Sequence, residues 1–312
     1  MTRINELRNH AISHSLFRPT TLKAAVNRLG FVQADPIRSP ARAQDLILRH
    51  RVKGYRTGDL DRRYPKLNVE EDFLFAYGYL PRDISNILHP RYTTKEMDDL
   101  QRNVLKVVRK FGPTHPRDLK AHFGDKRVVN GWGGYSKATK RALEGLHQRG
   151  LLRVAKRENG IRLYEATSIP KHSLLPEDRF REILRVVVNI LAPVNEKFLL
   201  SIAAYFRYLV SNITERRTIL RKMIKTGELE EQTIDGLTYV WPSAKKFHRE
   251  PPREVRFLAP FDPLVRDRNR FEHLWQWTYR FEAYTPLAKR VRGYYAMPLL
   301  WIDRVIGWAN AE

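Results

Sequence analysis

Three pairs of chain-breaking residues recur along the sequence at nearly one spacing. Pro113 and Pro193 end apolar helical runs, Gly150 and Gly227 stop a later helix, and Gly160 and Gly236 turn a hairpin; the offsets are 80, 77 and 76 residues. Self-similarity at one period is the signature of a repeated supersecondary unit. In the first copy, Val104–Phe111 has apolar residues at helical spacing and stops at Gly112-Pro113. Pro116–Phe123 is expected as a short second helix. Ser136 is expected to cap a third, Lys137–Arg149, with Ala138, Ala142 and Leu146 on one face and Gly150 as its stop. Leu151–Lys156 and Ile161–Ala166 then flank Glu158-Asn159-Gly160, where Asn-Gly is a strong hairpin signal. In the second copy Ile183–Leu191 ends at Ala192-Pro193, and Phe198–Leu209 supplies the second helix. Thr214 is expected to cap a third helix through Lys225, and Asp235-Gly236 turns a hairpin ending at Trp241. Three helices and a hairpin is the winged-helix order. A looser copy opens the chain: Pro19-Thr20-Thr21-Leu22-Lys23-Ala24 echoes Pro116-Arg117-Asp118-Leu119-Lys120-Ala121, before a helix ending at Gly30 and the extended Phe31–Asp35. A chance helix–glycine–strand accounts for that first copy equally well.

From Val255 the chain turns to proline, aromatics and β-formers. Pro260-Phe261-Asp262-Pro263, Tyr279–Tyr284, Gly293–Ala296 and Val305–Trp308 are expected as a small antiparallel sheet or partial barrel. It is expected to be short, ending at Glu312 in mid-strand. The fold class is therefore α+β: tandem winged-helix repeats with a small C-terminal antiparallel β domain. The expected units are 1–97, a winged-helix-like unit; 98–170 and 171–250, two winged helices; and 251–312, the β domain.

Charge narrows the partner. Lys and Arg number 57 against 34 Asp and Glu, a net +23. Residues 1–90 contribute +6, 91–170 contribute +10 and 171–312 contribute +7, so no tail holds the excess. Charge spread through folded units suits a protein laid along a phosphate backbone. An anionic membrane surface competes, but no amphipathic helix sets aromatics opposite a basic face. Met1–Leu16 carries Glu6 and no apolar core, so it is not expected to be a signal peptide, and the longest apolar stretch, around Phe198–Phe206, is far short of a membrane span. With no cysteine in the chain, disulfide frameworks, thiolate zinc sites, iron–sulfur clusters and a Cys nucleophile are excluded.

Lys137, Lys140 and Arg141 open the third helix of the middle unit. Cations there oppose the helix dipole at a few tenths of a kcal/mol each, so a stability-driven surface helix would carry acids instead. Recognition helices present their N-terminal ends to DNA, and the neighbouring wing residues Arg153, Lys156, Arg157 and Arg162 have the sign that suits phosphate. The other wing holds Glu228, Glu230, Glu231 and Asp235 and is expected to be scaffold. Glu70-Glu71-Asp72 is most simply a solvated helix start. His10 and His14, at i and i+4, lack a third ligand at readable spacing. No phosphate-loop, His-Glu-x-x-His or Gly-x-Ser-x-Gly pattern occurs. In an extended Gly30–Pro36, Gln33 and Asp35 share a face, and Pro36 biases Asp35 away from helix. An amide and a carboxylate side by side can orient and activate water or stabilise a cationic transition state; alone, Gln-x-Asp is commonplace and Asp-Pro is an ordinary turn starter.

The segment Leu29-Gly30-Phe31-Val32-Gln33-Ala34-Asp35-Pro36, followed by Ala41-Arg42-Ala43-Gln44 and a helix to Arg51, resembles the start of the AlkZ/YcaQ-like bacterial DNA glycosylases. So does Pro260–Arg268, with Tyr279-Arg280, Lys289-Arg290, Gly293-Tyr294-Tyr295 and Pro298. The resemblance implies tandem winged helices around a C-terminal β domain, a concave DNA-binding surface, and excision of alkylated bases, with interstrand crosslinks unhooked by some members. The family's catalytic motif, Gln-aliphatic-Gln or Gln-aliphatic-Asp, falls here on Gln33, Ala34 and Asp35, so the resemblance is to the second branch. Family members usually carry His residues after the Arg-Ala pair, where this chain has Gln44-Asp45, and their β domain normally continues beyond the Gly307 region.

The expectation is a DNA glycosylase for cationic N-alkylpurines, a cytoplasmic, nucleoid-associated monomer acting on damaged duplex DNA with no metal and no cofactor. Asp35 is expected to stabilise the cation or act as general base, Gln33 to orient water, and Arg42, Lys137, Lys140, Arg141, Arg153, Lys156, Arg157 and Arg162 to contact DNA. A non-catalytic winged-helix DNA-binding protein, such as a transcriptional regulator, is the alternative.

Overall fold

The computed structural model describes residues 3–91, 96–129, 134–169, 173–243 and 253–311. The expected boundaries at 170–171 and 250–251, and Glu312, lie outside them. The chain mixes helices with small antiparallel sheets.

The first stretch comprises α1 (Arg3–Ser15), α2 (Leu22–Leu29), β1 (Val32–Gln33), α3 (Ala43–Arg49), α4 (Asp59–Arg63), β2 (Val69–Phe73), β3 (Tyr77–Pro81) and α5 (Arg82–Leu88). Thr21 caps α2, its hydroxyl accepting from the Ala24 N–H at 3.3 Å. Gly30, at φ +72°, ends the helix in the left-handed region and turns the chain into β1. β3 lies between β1 and β2, pairing Val32 with Tyr79 and Gln33 with Gly78. A Cβ at Gly78 would sit 2.4 Å from the Val32 carbonyl oxygen, so only glycine lets β3 close on the strand that carries Gln33.

The middle stretch holds α6 (Asp99–Phe111), α7 (Lys120–Phe123), β4 (Arg127–Val129), β5 (Tyr135–Lys137), α8 (Ala138–Gln148), β6 (Leu152–Glu158) and β7 (Ile161–Ala166). A capping box between Asp98 and Gln101 starts α6 earlier than its apolar periodicity alone indicates. The second helix shrinks to a single turn, and an unforeseen hairpin, β4–β5, precedes the third. Ser136 is paired in β5, so it does not cap α8; Lys137 holds the cap position without a side-chain bond. Asn159 and Gly160, at φ +49° and +81°, turn β6 into β7 as expected.

The next stretch runs α9 (Pro176–Leu191), β8 (Val194–Asn195), α10 (Glu196–Ala203), α11 (Ile213–Lys225), β9 (Leu229–Ile234) and β10 (Leu237–Pro242), with β10 between β8 and β9. Asn212, not Thr214, caps α11, accepting from the Thr214 N–H at 2.7 Å. The last stretch is less β-rich than expected: β11 (Val255–Phe257), α12 (Pro263–Arg266), α13 (Arg268–Trp275), β12 (Met297–Trp301) and β13 (Arg304–Ala309). Tyr279–Tyr284 and Gly293–Ala296 form no strand. Their aromatics serve packing instead: Tyr279 and Tyr295 are buried, and the Tyr279 hydroxyl donates to the Ala296 carbonyl at 2.7 Å.

The first and last stretches share cores. Leu7, Ala11 and Ile12 of α1 pack with Leu264, Val265 and Phe271, and Ala259, Tyr295 and Met297 join the core of α2, β1 and α3. Arg51 and Asp262, both wholly buried, lock the same junction with two bonds of 2.8 and 3.0 Å. The middle stretch has its own core, around Val104, Leu143, Leu146 and Val154.

Its attachment to the first stretch corrects the reading of Glu70-Glu71-Asp72. These residues lie on β2 and are buried. Glu71 receives Arg157 in a bidentate pair at 2.6 and 2.8 Å, and Glu70 accepts from Arg153 at 2.9 Å and Arg82 at 2.6 Å. Asp72 takes His89 at 2.8 Å, Ser85 at 3.0 Å and Arg91 at 3.1 Å. His147 of α8 meets the Glu71 carbonyl oxygen at 2.9 Å. Burial pushes the Glu71 carboxyl up, but Arg157 and Arg162 outweigh it and hold it below its ordinary value. Asp72 behaves alike under Arg91 and His89. A three-residue acidic run is buried because each carboxylate is met by cations.

Candidate active site

Gln33 and Asp35 leave β1 at the seam between the first and last stretches. Sheet pairing extends past Gln33, with the Ala34 N–H donating to the Tyr77 carbonyl at 2.9 Å, so the backbone stays extended into the motif. Beyond it, Asp35 Oδ1 accepts from the Ile37 N–H at 2.9 Å, the turn expected of an Asp ahead of proline. Gln44, buried on α3, accepts from the Asp35 N–H at 3.3 Å through its side-chain oxygen. Asp45 accepts from the Tyr55 hydroxyl and the Gly58 N–H, each at 2.8 Å. The Gln44-Asp45 pair thus braces the motif: one side chain fixes the Asp35 backbone, the other the loop after α3.

Gln33 and Asp35 are both partly exposed. Burial raises the Asp35 carboxyl above its ordinary 3.8, and the Ile37 N–H offsets this in part. Arg266, on α12, donates from Nη1 to the Gln33 side-chain oxygen. That bond orients the amide with its oxygen toward the guanidinium and its NH₂ directed elsewhere. Arg266 is the residue at the candidate site that was not singled out from the sequence. Its one signal was membership of the Pro260–Arg268 segment.

The expected DNA-contacting residues divide. Lys137, Lys140, Arg157 and Arg162 line one open cavity of about 470 Å³ with His115 and Arg117. Lys137 reaches Asp125 at 2.7 Å, Arg141 donates to the Val129 carbonyl at 3.0 Å, and Lys156 pairs with Glu158 at 2.8 Å; all three cations are exposed. The arginines among the residues expected to contact phosphate on β6–β7 also have partners within the fold. Arg153 and Arg157 are turned onto Glu70 and Glu71, and Arg162 stacks 3.9 Å over Tyr77, because β6–β7 docks against β2. Arg42 pairs with Asp61, and its guanidinium lies beside Gly160 at the β6–β7 turn. It links the motif loop to the basic cavity. Glu230 and Glu231 of β9 are spent on Trp241 at 3.1 Å and Arg221 at 2.6 Å.

His14 meets the Asn189 carbonyl and His10 lies edge-on against Trp241. Among the described residues no cluster of His, Asp or Glu could hold a metal ion, and no helix is long and apolar enough to cross a membrane.

No solved structure matches the chain. A family model, described as DNA glycosylase AlkZ-like, matches residues 26–312 and so spans Gln33, Asp35, the basic cavity and Arg266. The family that Leu29–Pro36 and Pro260–Arg268 suggest is the one matched over nearly the whole length, and the chain belongs to the AlkZ-like DNA glycosylases.

Proposed function

We propose that the protein is a monofunctional DNA glycosylase hydrolysing the N-glycosidic bond of cationic N-alkylpurines, with Gln33 and Asp35 as its catalytic pair. The observation that carries this reading is the motif's setting: a partly buried carboxylate with raised affinity for protons, beside an amide that Arg266 orients. N-alkylation makes the purine a good leaving group, so departure needs little acid catalysis. The difficulty is the oxocarbenium-like sugar and delivery of water to it. As the C–N bond breaks, its electron pair leaves with the base and neutralises it. The Asp35 carboxylate faces the sugar cation, and water held by Gln33 attacks the anomeric carbon and gives its proton to Asp35. The helix–helix–helix–hairpin runs serve as winged helices that hold the duplex. Chromatographic detection of free 7-methylguanine from methylated duplex tests the assignment; a protein that binds the duplex and releases nothing is the non-catalytic alternative.

The base must be ionised to work, so the single-turnover rate should rise with pH through the Asp35 carboxyl. Its acid limb should lie above the ordinary 3.8, as a pH–rate profile between acid and neutral conditions would show.

Phosphate contacts release counterions, and log K for duplex DNA falls with log salt at about −0.9 per neutralised phosphate. A slope steeper than about −3 is expected, corresponding to at least four contacts on that scaling. Salt-insensitive binding would contradict a phosphate-tracking surface.

Lys140→Glu and Arg141→Glu, at the exposed start of α8, should weaken binding to every duplex alike, since phosphate contacts carry no sequence information. Glu230→Gln and Glu231→Gln should change it little. Titrations of damaged and undamaged duplexes check both; equal losses from the acidic and basic changes would misplace the DNA face.

A further inference from the structure

Several arginines packed into this protein meet a carboxylate or are saturated by carbonyls, and two beside the candidate site are not. Arg51, Arg153 and Arg157 each meet a carboxylate, and the wholly buried Arg270 is saturated by the carbonyls of Leu191, Pro193, Pro263 and Leu264. Arg266 and Arg268 differ. Among the described residues neither forms an ion pair. Arg266 spends one N–H on Gln33 and places its guanidinium 5.3 Å from the Phe75 ring centre. Arg268 donates to the Val265 carbonyl at 2.6 Å and the Pro260 carbonyl at 2.7 Å, and sits 4.4 Å over Tyr279. Asp267, between them, caps α13 through the Arg270 N–H at 3.0 Å, although its charge still reaches Arg268.

Each guanidinium has five N–H donors, so most of those on Arg266 remain available. Arg266 and Arg268 each keep partial exposure at the surface. Burial draws the Arg268 guanidinium down to about 10, with the charge of Arg266 adding to the effect, and burial lowers Arg266 as well. Two neighbouring desolvated cations that repel one another are a cost to the free protein, and an anion between them would remove it. The Gln33 bond fixes where that anion would lie, at the wall of the candidate active site.

We propose that Arg266 and Arg268 form a binding site for one phosphodiester of the damaged strand, next to the nucleotide whose glycosidic bond faces Gln33 and Asp35. The location rests on the glycosylase reading; the anion site itself does not. The clamp would hold the backbone in register with the catalytic pair, and phosphate binding and amide orientation would be coupled through one guanidinium.

The test uses the full chain and duplexes with a tetrahydrofuran abasic analogue, so that affinity is read without turnover. Each phosphate near the analogue is replaced singly by an uncharged methylphosphonate. The wild-type protein should lose about tenfold or more in affinity at one flanking position, in line with the loss of a charge-assisted contact. Arg266→Gln should start from the weakened affinity and lose little more at that position. Its salt slope should be shallower by about 0.9, the value for one phosphate. Arg266→Lys should recover part of the slope, which a purely structural role would not predict. Arg268→Gln, checked for folding by its melting transition, supplies the second variant. Uniform small losses at all positions, or a wild-type slope in a folded Arg266→Gln protein, would overturn the clamp. Position-specific loss without any base release from methylated DNA would keep the phosphate site and overturn the glycosylase reading instead.

Discussion

Asp35→Asn should abolish most base release while leaving the protein folded and DNA-bound. The substitution keeps the shape of the side chain but removes the charge that faces a developing sugar cation and the base that accepts water's proton. Loss of general-base catalysis alone is worth roughly 10² to 10⁴ in rate. Affinity should hold or rise slightly, because a carboxylate no longer opposes the phosphates. Stability separates this outcome from simple misfolding. A raised carboxyl holds its proton more tightly folded than unfolded, so stability falls as pH climbs from the unfolded value of 3.8 through the folded one. At neutral pH the ionised group is therefore a constant cost, and Asp35→Asn should be at least as stable as wild type. Gln33→Ala should be milder in rate, since a second water position partly replaces an orienting amide. Single-turnover kinetics, duplex titration and a melting curve on each variant check the set.

The largest effect on stability is expected at the buried pair that joins the two ends of the chain. Asp262→Ala would leave the Arg51 guanidinium, wholly buried, with only the Ser15 and Ile47 carbonyls, each at 2.7 Å. Removing one partner of a buried ion pair costs about 3–5 kcal/mol, because the other charge is left uncompensated. Asp262 also accepts from the Leu264 N–H at 3.1 Å to start α12, so Arg266 should lose its position relative to Gln33. Base release should fall with stability even though Asp262 touches no reacting atom. Replacing both partners, Arg51→Met with Asp262→Leu, should recover much of the stability. Denaturant unfolding of the single and double variants measures the difference.

What the sequence made legible follows from the range of the interactions involved. Helix stops at Gly30, Gly150 and Gly227 and the turns at Asn159-Gly160 and Asp235-Gly236 depend on a few neighbouring residues, and those readings hold. Helix starts were less secure. Lys137 and Asn212 occupy cap positions expected for Ser136 and Thr214, because strand pairing claimed Ser136 and the Asn212 side chain bonds the backbone first. The acidic run misled because its partners are distant: Arg153 lies 83 residues from Glu70, and Arg157 lies 86 from Glu71. A hydrophilic run looks solvated until the arginines that bury it are placed. The same holds at the candidate site. Gln33 and Asp35 were marked by a local pattern, but Arg266 is 233 residues from Gln33, and no local spacing connects them. In the C-terminal stretch, aromatic content suggested strands where the rings pack without a strand partner.

One measurement bears on the central claim most directly: single-turnover incubation of the wild-type protein with a duplex carrying one N7-methylguanine. Free base and strand integrity are followed together. The account predicts one free 7-methylguanine for each abasic site formed, with the strand intact until the abasic site is cleaved by alkali. Tight binding of that duplex with no base released above the spontaneous rate would contradict it.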